Sequence, residues 1–161
     1  MLNWVKFISA FLLTLITVIV IFIFVNAYKP IGDLKEWAEN EVRRTQQVET
    51  VYDVQPYQGT SSLVTVFGKN DTGENIAVFV AKTGEQQSQY KEVKLADGIT
   101  AEDAMEAVKK DQKVDKVLHV LLGMEKDQPI WEVAFKNQNG KLNYMYLNFE
   151  NGDWTKKILN L

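Results

Sequence analysis

Residues 131–154, WEVAFKNQNGKLNYMYLNFENGDW, carry the pattern that decides the fold. Trp131, Val133 and Phe135 alternate with Glu132, Ala134 and Lys136, the period of a strand with one apolar face. In the next run Tyr144 and Tyr146 fall on one side, and Met145, Leu147 and Phe149 on the other. Two Asn-Gly dipeptides, Asn139-Gly140 and Asn151-Gly152, bracket that run. In tight hairpins such dipeptides favour type I′ turns, in which both central residues take positive φ. The stretch therefore reads as an antiparallel meander, which 114–123 before it and 154–159 after it extend to four strands.

Working outward, the same unit is found a second time. Residues 50–57, 63–68 and 75–82 are rich in Val, Thr, Tyr and Phe and are separated by Gly59-Thr60-Ser61 and Asn70-Asp71-Thr72-Gly73. Leu63-Val64-Thr65-Val66-Phe67 overlays Trp131-Glu132-Val133-Ala134-Phe135 at an offset of 68, and Gly84 overlays Gly152 at the same offset. One residue of loop difference brings Gly73 onto Gly140. A helix is expected before each meander. The first begins at Asp33 with Glu36 three residues on, and runs to about Val48 with Leu34, Trp37, Ala38 and Val42 on a face interrupted by Glu41. The second begins at Thr100, with Asp103 three residues later and Ala104, Met105 and Val108 on one face.

The expectation is an α+β chain: an N-terminal transmembrane helix followed by two small helix-plus-antiparallel-sheet domains of α-β-β-β type. The first domain spans 30–95 and the second 96–161, joined through 90–98, with a single continuous sheet as the competing topology. One helix covers only one face of a sheet. The other apolar face must be covered by the sister unit or by a partner, and covering within the chain is the ordinary outcome.

Before these units, a tail of residues 1–6 leads into FISAFLLTLITVIVIFIFV, residues 7–25, with no charged residue. As a helix this segment reaches roughly 28 Å, one hydrocarbon core. A cleaved signal peptide competes on Val25-Asn26-Ala27, but the apolar run is longer than such a segment needs, which favours a retained anchor. Charge does not orient it. Lys6 precedes the span and Lys29, Lys35, Arg43 and Arg44 follow it, but long folded segments translocate largely regardless of charge. With no cysteine, the composition fits either side of a membrane.

Beyond residue 29 there are 16 basic and 21 acidic residues, a net charge of −5, and the only basic clusters are the pairs Arg43-Arg44, Lys109-Lys110 and Lys156-Lys157. That is not the footprint of a nucleic-acid-binding protein. His119 is the only histidine and lies in a strand-like run, so a zinc site would need carboxylates of no recognisable spacing. None of Ser9, Ser61, Ser62 and Ser88 lies in a nucleophile elbow. Glu102-Asp103 fits helix capping, and Gly68, Gly73 and Gly84 lie in separate turns with no helix following as a phosphate loop requires. Asn70-Asp71-Thr72 is a glycosylation sequon, meaningful only in a eukaryotic secretory pathway. No catalytic residue, cofactor or metal site is expected. The candidates are aromatic: Trp131 reads as core, whereas Tyr144, Tyr146 and Trp154 form the candidate protein-contact surface.

The second half resembles the PepSY domain, in which a strand opening with Trp leads through a turn to a strand ending in an Ile-Asp-x-x-Thr-Gly-like sequence. Here these are Trp131-Glu132-Val133, Gly140 and Tyr146-Leu147-Asn148-Phe149-Glu150-Asn151-Gly152, with Asn148 in the place of Asp and Asn151 in that of Thr. Together with the anchor and the degenerate first copy, the whole chain resembles the YpmB/TseB family of Gram-positive membrane proteins, described as cell-wall elongation regulators. The resemblance implies a single-pass protein of the cell membrane with its body outside. It would act without catalysis, by binding a penicillin-binding protein transpeptidase or another membrane-associated cell-wall protein. PepSY domains that act as inhibitors imply an alternative, a tethered inhibitor of an extracytoplasmic protease or cell-wall hydrolase.

Overall fold

The computed structural model describes residues 2–59, 62–82 and 88–161. A single helix, α1 (Leu2–Arg44), opens the chain and spans roughly 65 Å at 1.5 Å per residue. The separate helix start expected at Asp33 is therefore absent, and the apolar span and the first unit's helix are one element. α1 passes through Pro30, which lacks the N–H that would bond the Asn26 carbonyl. That loss is confined to one turn. The helix stops at Arg44, short of the expected Val48. Gln46 takes a φ of 55°, its N–H donates to the Arg43 carbonyl at 3.2 Å, and the Gln47 N–H donates to the Val42 carbonyl at 3.1 Å. This pair of bonds is a Schellman end, which caps the last carbonyls and turns the chain toward the sheet.

Two four-stranded antiparallel sheets follow, each in sequential order, which excludes a continuous sheet. The first contains β1 (Thr50–Gln58), β2 (Ser62–Lys69), β3 (Asn75–Lys82) and β4 (Ser88–Lys94). A short 3-10 turn (Leu95–Asp97) leads to α2 (Ala101–Asp111). The second sheet contains β5 (Val114–Glu125), β6 (Gln128–Asn137), β7 (Leu142–Asn148) and β8 (Trp154–Ile158). The first unit thus has one strand more than the three read from its sequence, while the second has the four read there, one beyond the α-β-β-β label. β4 occupies part of the stretch expected to be a linker, 90–98. Its polar residues concealed it, yet Val93 packs toward the core and the Tyr90 hydroxyl donates to Glu41 Oε1 at 2.6 Å. Glu41, the residue that interrupts the apolar stripe of α1, is therefore a fixing point for an edge strand.

The turns differ from expectation while preserving the duplication. Gly140 and Gly152 have φ of 73° and 76°, but neither Asn139 nor Asn151 has positive φ, so these are not type I′ turns. Instead the asparagine that ends β6 does the work. Asn137 Oδ1 accepts from the Asn139 and Lys141 N–H groups, and the Gly140 N–H closes on the Asn137 carbonyl at 2.8 Å. The first sheet uses the same device: Asn70 Oδ1 accepts from the Glu74 N–H, the Gly73 N–H closes on the Asn70 carbonyl at 3.0 Å, and Gly73 has a φ of 81°. The overlay of Gly84 on Gly152, like Thr60 and Ser61, lies outside the described residues. A pair of consecutive positive-φ residues does occur, at Lys126 (50°) and Asp127 (62°), in the two-residue loop between β5 and β6.

β2 and β6 are buried on both faces. On one face of the first sheet, Val64, Val66, Ile76, Val78 and Val80 pack under Ala38 and Val42 of α1. The opposite face, with Leu63, Phe67, Ala77 and Phe79, joins a continuous core built around Ala104 and Val108 of α2 and Trp131, Val133 and Phe135. Cover for that face therefore comes from within the chain. The joint is close. The buried Thr65 hydroxyl donates to the Leu122 carbonyl at 2.6 Å, and a Cβ on Gly123 would lie 2.5 Å from the Tyr57 ring.

Candidate binding groove

The expected core tryptophan is one. Trp131 is buried, and its indole N–H donates to the Ile99 carbonyl at 2.9 Å in the segment leading to α2. The contact candidates divide by register. On β7, Tyr144 and Tyr146 face away from Met145 and Leu147, whereas Trp154 lies opposite Leu147 and so shares the α2 side. Trp154 is 38% exposed, with the Lys157 ammonium 4.4 Å from its ring centre, and Lys157 in turn pairs with Asp111 at the end of α2. The structure brings the two tyrosines together and places Trp154 on the other face.

The tyrosines line a groove of about 760 Å³. Its floor is the second sheet, with Glu132 opposite Tyr146 and Ala134 opposite Tyr144. Its walls are the α1 residues Ile31 and Leu34 and, from β1, Pro56. Near the centre lies Glu132, only 7% exposed although it is an acid in a central strand. Such a group requires a partner. His119, half-exposed on β5, supplies one, with Nε2 at 2.9 Å from Glu132 Oε1. The His119 ring also lies against Tyr144, with centroids 6.3 Å apart. Burial pushes the Tyr146 hydroxyl well above its ordinary value, and the neighbouring Glu132 carboxylate adds to the effect. Tyr146 therefore stays protonated and acts as a donor. Lys156 crosses its ring at 5.2 Å, holding the ring from the β8 side.

The arrangement offers apolar wall, two aromatic faces and a deep carboxylate, and it suits recognition of a chain segment that is largely apolar. Sequence reasoning found the tyrosines and missed Glu132, Ile31, Leu34 and Pro56. Glu132 had a signal, a lone acid in an otherwise apolar run. The α1 residues had none, because their position depends on the helix continuing through Pro30.

A family model described as the cell wall elongation regulator TseB-like domain matches residues 38–81, the stretch from the α1 face carrying Ala38 and Val42 through β3. The probable cell wall elongation regulator TseB of Bacillus subtilis (strain 168) is 26% identical over 123 residues, which cover 76% of this chain and 75% of that protein. Both matches make the chain similar to TseB-like proteins. The fold agrees with that likeness. The solved structure of the YpmB protein from Bacillus subtilis superposes with a TM-score of 0.67 at 24% identity, covering 76% of this chain and 94% of that one. α1 is long and apolar enough to cross a membrane. The matched segment forms the first unit's core, and the tyrosine groove is shared between α1 and β1 of the first unit and the sheet of the second.

Proposed function

We propose that this chain is a non-catalytic regulator of cell-wall elongation, anchored by residues 7–25 with its body outside the membrane, acting by binding a penicillin-binding transpeptidase. The observation that carries the reading is the likeness to a Bacillus subtilis protein named as a probable cell wall elongation regulator, over three-quarters of both chains. The long apolar helix supports it physically. Holding the body and a membrane-bound partner at one surface raises their effective concentration, so a modest contact suffices. Tyr144, partly buried, supplies that contact with Tyr146, buried at 8% exposure but lining the groove, because aromatics carry most of the energy of such interfaces, and Trp154 adds a second patch on the α2 side.

The test is chemical crosslinking of the full-length chain in intact cells followed by identification of what is covalently attached. A penicillin-binding transpeptidase is the expected adduct, reduced severalfold by the double substitution Tyr144→Ala and Tyr146→Ala in a protein that still folds. Adducts consisting only of a protease or a wall hydrolase would overturn the reading.

A further inference from the structure

The groove does not end at the body. Its α1 wall is continuous with the apolar span, and Phe24, Tyr28, Ile31 and Leu34 recur at spacings of four, three and three, which places them along one face of the helix. Phe24 and Tyr28 are stacked with centroids 6.3 Å apart, and Ile31 and Leu34 remain 48% and 36% exposed although they border the body. An apolar stripe thus runs from the last turns of the span into a groove floored by Tyr144, Tyr146 and the deep carboxylate of Glu132. Ile31 and Leu34 lie six and nine residues beyond Val25, which at 1.5 Å per residue is within roughly 15 Å of the end of the span.

We infer that this stripe and groove together dock the membrane-proximal segment of a second single-span protein: an apolar helix, continuing out of the bilayer alongside α1, with one basic side chain reaching Glu132. This rests on the membrane-anchored binding reading above and names the part of the partner that is held. Two features favour this occupant. An approach along the stripe keeps every contact apolar up to the groove. Glu132 accepts from His119 and from the Tyr146 hydroxyl but pairs with no Lys or Arg among the described residues, so a basic side chain of the occupant complements its charge. Lys35 lines the same groove, and among the described residues it makes no ion pair with Glu132.

The experiment places a photocrosslinking amino acid at Ile31 or at Tyr144 in the full-length chain in cells, with Tyr52, exposed on β1, as a position away from the groove. Adducts are digested and the attached peptide is located by mass spectrometry. The expected result is that both groove positions attach to one segment, within about ten residues of the outer end of a partner's single span and containing Lys or Arg. Glu132→Gln, which keeps the side-chain shape, lowers that yield about tenfold, the loss expected for one charge-assisted bond. Adducts to a second copy of this chain, to lipid, to glycan or to a partner's globular domain overturn the inference, as does an absence of adducts at both groove positions. A transpeptidase captured only from Tyr52 overturns the docking geometry while leaving the proposed function standing.

Discussion

At the scale of single residues, the joint between the two sheets depends on small groups in close contact. Thr65 is fully buried in β2 and its hydroxyl is spent on the Leu122 carbonyl. Thr65→Val keeps the shape and removes the donor, and is expected to destabilise the chain by about 1–3 kcal/mol in denaturant unfolding, the cost of an unpaired buried acceptor. Gly123 is glycine because Tyr57 lies across it. Gly123→Ala drives a methyl group into the ring, and a loss of about 1–3 kcal/mol is expected, measured the same way. Gly123→Ala combined with Tyr57→Ala should lose less than the two single losses added together, because the clash goes with the ring. The tyrosine pair of the groove was legible in sequence from its alternation with Met145 and Leu147. Glu132 left only the trace of a lone acid in an apolar run, since only the fold shows that both faces of β6 are covered.

At the scale of elements, α2 is held at its start by a reciprocal cap. The Asp103 N–H donates to the Thr100 hydroxyl at 3.1 Å, and the Thr100 N–H donates to Asp103 Oδ2 at 3.0 Å. Thr100→Ala is expected to cost about 1 kcal/mol of stability near neutral pH, read from thermal or denaturant unfolding. Bonds from Thr100 also hold the Asp103 carboxyl below its ordinary value. A carboxyl whose folded value is depressed contributes fully above its unfolded value and loses that contribution as pH falls through the folded one. The gap between the parent chain and Thr100→Ala should therefore be constant above about pH 5 and narrow steadily below it. Glu74 obeys the same sign. Hydrogen bonds from Lys94, Asn70 and Thr72 bring its value down to about 2, so the β2–β3 turn retains this support until strong acid. The second helix was legible down to its cap because Thr100 and Asp103 carry the signature locally. The first is not legible at either end: Pro30 reads as a boundary, and nothing local announces that Gln46 will turn left-handed. β4 reads as linker because an edge strand needs few apolar residues, and its partner Glu41 is distant in sequence.

At the scale of the whole molecule, the doubling was readable from the overlay of Leu63–Phe67 on Trp131–Phe135, which became the second strands of two separate sheets. Less legible was how the halves share a core. The face of the first sheet that α1 leaves uncovered is not free for a partner, because Leu63, Phe67 and Phe79 are already committed to the second unit's core. A groove between the second sheet and the root of the long apolar helix stays open. In this account the helix has two roles, confining the body to a surface and forming one wall of the site.

On the proposed function, regulation arises from tethered contact and not from chemistry performed by this chain. Full-length protein and a penicillin-binding transpeptidase are reconstituted either in the same vesicles or in separate vesicles that are then mixed, and the rate of peptidoglycan crosslinking is followed. This chain is expected to alter the rate when both proteins share a bilayer, with the concentration needed rising about a hundredfold or more when they do not. An equal effect across separate vesicles, or conversion of the peptidoglycan by this chain alone, would contradict it.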